Sequence, residues 1–323
     1  MDWWLALLVL IGSFIVLLLS GMPVAFAFMF VNVVGVLVFW GGEVGLRQLI
    51  LSMWTSISTF AFLPVPLFIL MGEVMFRSGV APLMLDTLDK WLGRLPGRLG
   101  LLAVGGGTIF ATLSGSAMAG TAMLGSVLVP EVEKRGYKKP MSLGPILGSG
   151  GLSIMIPPST LGVLLAALAY ISVGGLLIAI IIPGLVMAGL YAAYIIIRCW
   201  LQPSIAPAYD VTPPPLAKKL ILTVRNVLPL GSIVFLVIGV IFLGIATPSE
   251  SAALGALGCF VLAFIYKGLN WKVMKESIGG TLIIAGMMML ILTGSTAFAQ
   301  ILAYTGATRG LVEMVIEFPL SPL

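Results

Sequence analysis

Two clusters of small and hydroxyl-bearing residues could bind a sodium ion. The first is Ser114-Gly115-Ser116, and the second runs from Gly148 to Thr160 and contains Pro157-Pro158. Consecutive prolines remove two amide donors and bar the preceding residue from the helical conformation, so we expect a helix to break near Ile156–Pro158. The carbonyl oxygens freed by a break, together with Ser and Thr hydroxyls, are neutral, hard ligands that suit sodium. The candidate sodium- and substrate-binding residues are Ser114, Gly115, Ser116, Ser149, Gly150, Gly151, Pro157, Pro158, Ser159 and Thr160.

Each cluster also has a simpler explanation. Ser and Gly in membrane helices often serve only to bring two helices into close contact. The two clusters occur together, however, one in the middle of a predicted hairpin and one at a double proline. This combination favours a binding site over packing alone.

Carboxylates are scarce in the apolar segments, which makes sodium coupling a better prediction than a proton relay. Glu250 belongs to Thr247-Pro248-Ser249-Glu250, a predicted capping box with proline at the first helical position, so Thr247 and Glu250 are expected to cap a helix. Glu73 is expected to pair with Arg77 one helical turn later. Four other carboxylates are predicted in loops beside basic residues, which leaves Glu73 and Glu250 as the candidates within or at the edge of spans; the four are Asp86, Asp89, Glu131 and Glu133.

The residues needed by the obvious enzyme classes are missing. The chain has no His to activate a Ser nucleophile, no Asp within an apolar segment, and no phosphate-binding Gly-Lys-Ser/Thr loop. Cys199 and Cys259 lack the spacing of a disulfide or metal framework and are expected to be packing residues. We therefore predict a protein that is not an enzyme, has no cofactor, and binds no metal other than sodium as a coupling ion.

Composition predicts an all-α polytopic membrane protein. Hydrophobic residues make up 60% of the 323 residues, charged residues only 9%, and the mean hydropathy is +1.17. A helix needs about 20 apolar residues to cross a bilayer. The segments of membrane length are Trp3–Ser20, Val24–Trp40, Thr59–Phe76, Leu161–Ile197, Val227–Ile245 and Ser251–Tyr266.

The basic residues fall between these segments, which favours a membrane topology and argues against a nucleic-acid partner. All the basic clusters lie on the cytoplasmic side if the N-terminus is periplasmic and if Leu99–Val129 enters and leaves from the cytoplasm as a re-entrant hairpin. The Pro-rich stretch Gln202–Lys219 then becomes a cytoplasmic connector, and Ala303–Leu323 lies outside.

A weak internal repeat gives the domain organisation. Gly21-Met22-Pro23 aligns with Ala246-Thr247-Pro248 at an offset of 225 residues, and the odd number of crossings between them inverts the second copy. We predict a first repeat over residues 1–200, with scaffold spans at 3–76, the hairpin at about 97–130, a broken helix at about 141–172 and a span at 174–198. A connector at 201–225 and an incomplete second repeat at 226–323 follow, so we expect a C-terminally truncated form of a longer protein.

The chain resembles the large membrane subunit of the tripartite ATP-independent periplasmic (TRAP) transporters. The resemblance rests on Pro66–Gly72, Ser114–Ala119 followed by Gly125–Glu131, Ile156–Ser159 and Thr247–Ala253, whose order and spacing run through nearly the whole chain. A more distant likeness is to the divalent-anion sodium symporters.

The resemblance implies a sodium-driven importer of small organic acids in the bacterial inner membrane. A periplasmic binding protein would deliver the substrate, a small membrane subunit would support the large one, and an elevator-type inverted-repeat fold would carry the substrate. By position, Ser114, Gly115, Ser116, Gly150, Pro157, Pro158 and Ser159 would line the first sodium site and one side of the substrate site. With residues 1–323 alone, no competent transport is expected. A channel, a non-transporting scaffold subunit and a proton-coupled carrier of the divalent-anion symporter type stay open as alternatives.

Overall fold

The computed structural model describes residues 2–93, 95–114, 117–207 and 214–317, and the regular elements in these ranges are all helical. The α-helices are α1 (Trp3–Leu19), α2 (Val24–Phe39), α3 (Glu43–Ile57), α4 (Pro64–Arg77), α5 (Val80–Leu92), α6 (Arg98–Ser114), α7 (Ala117–Lys134), α8 (Lys139–Met155), α9 (Thr160–Leu168), α10 (Val173–Ala179), α11 (Ile181–Leu201), α12 (Leu216–Asn226), α13 (Leu228–Phe242), α14 (Pro248–Ile265), α15 (Trp271–Tyr304) and α16 (Ala307–Glu317).

Several helices have the length and apolarity to cross a membrane. Within the described ranges, four single helical segments qualify, and the count rises to six if the bent pairs α8–α9 and α12–α13 each form one span. The four are Phe60–Arg77, Val173–Leu201, Pro248–Ile265 and Trp271–Tyr304. The predicted all-α polytopic class is therefore supported, whereas the predicted domain limits and the re-entrant position of the hairpin stay predictions.

Contacts divide the chain into two compact units. The first comprises Met1–Phe60 and Ile283–Leu323, and the second comprises Ala61–Leu282. In the first unit, α1, α2, α3 and the C-terminal part of α15 enclose a core of Leu10, Val31, Val36, Leu49, Ala297 and Ile301. The rings of Phe14, Phe28 and Phe298 meet with centroids 4.3 to 5.8 Å apart.

The second unit is organised around α4, which is buried along most of its length. Its buried side chains include Phe68, Ile69, Met71 and Met75, and α14 packs closely against it. Gly255 of α14 allows this approach, because a Cβ there would lie 2.9 Å from the sulfur of Met71. Elsewhere in this unit, α8 packs against both α6 and α7.

One sequence-based expectation needs correction. Asp86 and Asp89 lie on α5, and Glu131 and Glu133 lie on the last turns of α7, so these four residues are helical and not in loops. Two of them pair with a basic residue four positions later, which favours the helical conformation: Asp86 accepts from Lys90 at 2.5 Å and Glu131 accepts from Arg135 at 2.7 Å. A helix end rich in charged residues has the same composition as a loop, so composition alone could not separate the two. Helix α3 lies between the second and third predicted spans.

Candidate functional site

The predicted helix break is present between α8 and α9. Helix α8 ends at Met155, α9 begins at Thr160, and their axes differ by 45°. Pro157 and Pro158 have no amide hydrogens, so the carbonyl groups of Ser153 and Ile154 cannot receive the usual bond from four residues later. The break therefore removes the two helical hydrogen bonds that these carbonyl oxygens would otherwise accept, and oxygens of this kind are possible cation ligands.

Ser159 and Thr160 are both buried at the start of α9. The Ser159 hydroxyl accepts a hydrogen bond from the Gly162 amide at 3.1 Å and so caps the helix. A hydroxyl has two lone pairs and one proton, so Oγ of Ser159 can bind a cation while it caps α9. Capping is a role for this residue that the sequence analysis did not anticipate.

The second cluster also includes residues that contact the hairpin formed by α6 and α7. A Cβ at Gly107 of α6 would lie 2.5 Å from the Cβ of Ser149, so only glycine permits this contact. Gly150 faces α7, where an added Cβ would collide with the Thr121 hydroxyl and lie 3.6 Å from the Ala117 carbonyl oxygen. Ser149 itself is buried and donates to the Ile146 carbonyl at 2.6 Å.

The structure therefore brings the start of α7 next to the middle of α8. Ala117 follows directly after the first predicted cluster, and Gly150 belongs to the second. Gly115 and Ser116 lie outside the described residues. Ser114 ends α6, and its side chain is likewise outside the described part. The adjacency of the two clusters consequently rests on Ala117, Thr121 and Gly150.

A cleft of about 480 Å³ opens along this contact. Its lining residues carry no charge and comprise Ala117, Thr121, Ala122, Leu147, Gly150, Gly151 and Ile154. Gly150 and Gly151 were predicted site residues, whereas Thr121 was missed. Thr121 could have been found from the sequence, because it lies four residues after Ala117 and small side chains share that face of α7.

Pro157 and Pro158 line a different pocket. They meet Leu177, Ile178, Val237, Ile238 and Ile241, all of which are apolar. The described lining of this pocket is apolar, and the two prolines end α8; their predicted part in the sodium and substrate site stays a prediction. Among the described residues, no group of three or more Cys, Asp or Glu side chains could hold a metal ion.

The predicted cap and ion pair are both confirmed. Thr247 and Glu250 form a reciprocal capping box at the start of α14, with Pro248 at its first position. Arg77 donates to Glu73 at 2.7 Å, and it also donates to Glu276 of α15 at 3.3 Å, a partner that the sequence did not indicate. Cys199 and Cys259 are buried and free.

Known proteins resemble this chain over most of its length. Residues 11–323 match the family described as the tripartite ATP-independent periplasmic transporter, DctM component. The C4-dicarboxylate TRAP transporter large permease protein DctM of Rhodobacter capsulatus is 29% identical over 97% of this chain and 73% of its own length. The Pseudomonas aeruginosa protein of the same name is 31% identical, covering 85% of this chain and 64% of its own length.

A third relative carries a different substrate name. The ectoine TRAP transporter large permease protein TeaC of Halomonas elongata is 27% identical over 95% of this chain and 71% of its own length. These relatives are permeases and not enzymes. Because the family match extends over nearly the whole chain and the apolar helices have membrane length, this membrane protein belongs to the DctM-component family of tripartite ATP-independent periplasmic transporters.

Proposed function

We propose that the chain is the large membrane subunit of a sodium-coupled secondary transporter that imports small organic acids. The observation that carries this proposal is the cleft in which Gly150 of α8 meets Ala117 and Thr121 of α7. Ala117 directly follows the Ser114–Ser116 cluster in the sequence. Gly150 lies on α8, the helix that ends just before Pro157. A hairpin and a broken helix sharing one cleft is the arrangement expected of an ion-coupled carrier.

The chemistry of the cleft suits an anion bound together with sodium. Its lining contains no basic side chain among the described residues. A carboxylate there would be stabilised by the amide groups at the start of α7 and by a nearby cation. Hydroxyl and carbonyl oxygens would hold that cation without adding negative charge. The substrate names of the relatives, C4-dicarboxylate among them, support an organic acid as the class.

The helix positions support an inverted-repeat, elevator-type fold in the bacterial inner membrane. Trp3 of α1 and Leu228 of α13 are 225 residues apart, and Val24 of α2 and Pro248 of α14 are 224 apart. The packing repeats as well. In one unit, α2 meets the C-terminal part of α15, and in the other, the equivalent α14 meets α4.

The partners in this proposal are a periplasmic binding protein, which delivers the substrate, and a small membrane subunit. With the N-terminus periplasmic, the basic residues between the predicted spans face the cytoplasm. The lipid bilayer surrounds the apolar helices.

Sodium binding can be tested on the purified chain without transport. The midpoint of thermal unfolding in NaCl is compared with that in choline chloride, because a ligand that binds only the folded state raises it. We expect a sodium-specific rise that Ser114→Ala and Ser116→Ala reduce. Ser126→Ala is the matched control, because the Ser126 hydroxyl donates to the Met123 carbonyl within α7. Equal midpoints in both salts for the unaltered chain would contradict sodium binding.

Residues 1–323 alone are not expected to transport, so transport is tested with the large subunit extended to the length of its relatives. The proteoliposomes also contain the small subunit, and the binding protein is added outside. Radiolabelled succinate serves as the C4-dicarboxylate probe. An inward sodium gradient should drive uptake only when the binding protein is present. Uptake driven by a proton gradient alone would favour the proton-coupled alternative, and uptake without a gradient or binding protein would favour a channel.

A further inference from the structure

Helix α12 has an unusual distribution of polar and apolar faces. Lys219, Thr223 and Asn226 recur at the spacing of one helix face, and this polar face packs against α5. Apart from the half-buried Leu222, the larger apolar residues of α12 point away from the protein. Leu216, Ile221 and Val224 are 68%, 66% and 59% exposed. In water this arrangement would be unfavourable, so the exposed face requires an apolar environment.

Specific hydrogen bonds fix the polar face in place. Asn226 donates to the Thr87 hydroxyl at 2.8 Å, and the Trp91 indole donates to the Thr223 hydroxyl at 2.7 Å. The ammonium group of Lys219 lies 5.7 Å from the centre of the Trp91 ring, within cation–π range. These contacts determine the rotation of α12 about its axis, and therefore which residues it exposes.

The exposed surface of α12 has an apolar part and a basic edge. At about 100° per residue, Leu216, Leu220, Val224 and Ile221 span an arc of about 140°, and Lys218 and Arg225 follow immediately beyond it. Both basic residues are exposed, and α12 contains no acidic residue. The acids of neighbouring α5 are paired: Asp86 with Lys90 and Asp89 with Arg98. The basic edge is therefore not neutralised by α5.

The positions of the two basic residues decide between two orientations in the bilayer. Lys218 and Arg225 are seven residues apart, so they lie about 10 Å apart along the helix axis. If α12 crossed the membrane as the first half of a span with α13, one of them would lie much deeper in hydrocarbon than the other, which is unfavourable for a charged group. If α12 lies in the plane of the interface, both reach the headgroups at the same depth.

We propose that α12 is an interfacial helix whose basic edge, Lys218 and Arg225, binds the headgroups of anionic phospholipids. The apolar arc enters the acyl region, while Trp91 and Thr223 connect α12 to α5. The bend of 45° between α12 and α13 is then the point at which the chain turns from the interface into the bilayer. Basic residues near an anionic surface add favourable binding energy individually, so both contribute.

The orientation is tested by measuring depth at three positions of the apolar arc. Leu216→Cys, Leu220→Cys and Val224→Cys are introduced singly, with Cys199 and Cys259 replaced by Ala. A nitroxide label at each position is then measured for oxygen and nickel-chelate accessibility in nanodiscs. An interfacial helix gives three depths within about 3 Å of one another. A steady change of about 12 Å over the eight residues would mean a membrane-crossing helix and would overturn the proposal.

The lipid preference is tested with the full chain in mixed vesicles of phosphatidylglycerol and phosphatidylcholine. The fraction of each spin-labelled lipid immobilised by the protein gives the preference. Lys218→Glu combined with Arg225→Glu should lower the preference for phosphatidylglycerol at least about twofold. The control is Arg47→Glu combined with Arg309→Glu, which changes net charge equally at two exposed sites outside α12. An unchanged preference in the first variant, or an equal loss in both variants, would contradict binding by α12.

Discussion

Gly280 of α15 lies directly against the carboxylate of Glu73 on α4. A Cβ at position 280 would come 2.6 Å from Oε2 of Glu73, the oxygen that accepts from Arg77 at 2.7 Å. Arg77 also reaches Glu276, so the glycine allows three charged side chains from two helices to meet. Glu73 is buried, and its charge is stabilised mainly by this arrangement.

Replacement of Gly280 should therefore destabilise the second unit. Gly280→Ala forces the Glu73 side chain to move, and we expect a loss of about 1–3 kcal/mol in unfolding free energy, as for other overpacked sites. The neighbouring Gly279 has no atom within 4 Å of an added Cβ, so Gly279→Ala should be neutral or stabilising by up to about 1 kcal/mol. Denaturant unfolding in detergent measures both, and similar values for the two variants would refute the tight contact.

The contact between Gly150 and Thr121 should control the candidate cleft. Gly150→Ala places a methyl group against the Thr121 hydroxyl, so α7 and α8 must separate. In the large subunit extended to the length of its relatives, this change should reduce uptake strongly. Thr121→Ala removes the obstructing oxygen, so the double variant should recover part of the loss, a coupling that a mutant cycle measures. Gly144→Ala on α8 meets nothing within 4 Å and serves as the control. Additive losses in the double variant would mean that this pair does not set the spacing.

The cap of α9 should contribute more than the similar cap of α10. Ser159→Ala leaves the buried Gly162 amide without its acceptor, and we expect a loss of about 1–2 kcal/mol. Ser172→Ala removes an equivalent bond to Gly175 at 3.2 Å, but Ser172 is exposed and water can replace its hydroxyl. Thermal unfolding in sodium-free buffer isolates the cap from any cation effect. A larger loss for Ser172→Ala would contradict this reasoning.

Asn32 should be the main polar anchor of the first unit. It is fully buried on α2, and its amide donates to the Gly294 carbonyl of α15 at 2.8 Å. Asn32→Ala should lower the unfolding free energy by about 1–2 kcal/mol, near the upper end for hydrogen bonds between membrane helices. Ser56→Ala breaks a 3.1 Å bond to Thr296, but the Thr296 hydroxyl still bonds to the Leu292 carbonyl of its own helix. The loss of unfolding free energy should therefore be smaller than for Asn32→Ala. Denaturant titration compares the two, and equal losses would count against Asn32 as the anchor.

Features that depend on neighbouring residues in the chain could be predicted from the sequence. The capping box at Thr247 and Glu250, the pairing of Glu73 with Arg77 and the break after Met155 all involve residues within a few positions of one another. Proline chemistry and helix spacing determine these features before any tertiary contact forms. Composition likewise established membrane residence, because hydropathy is a property of each segment by itself.

The tertiary structure decided which helix faces meet. Thr121 joins Gly150 in the cleft, Glu276 joins Arg77 across 199 residues of sequence, and the polar face of α12 turns inward against α5. Hydropathy does not distinguish the buried side of α14 from its exposed side, because both are largely apolar. The two sides differ in residue size, with Gly255 and Cys259 buried and Leu257 exposed. Local sequence determined particular helix ends, such as the cap of α14 at Thr247 and the end of α8 at Met155. Only side-chain packing between helices fixes their rotation, and with it the residues that share a site.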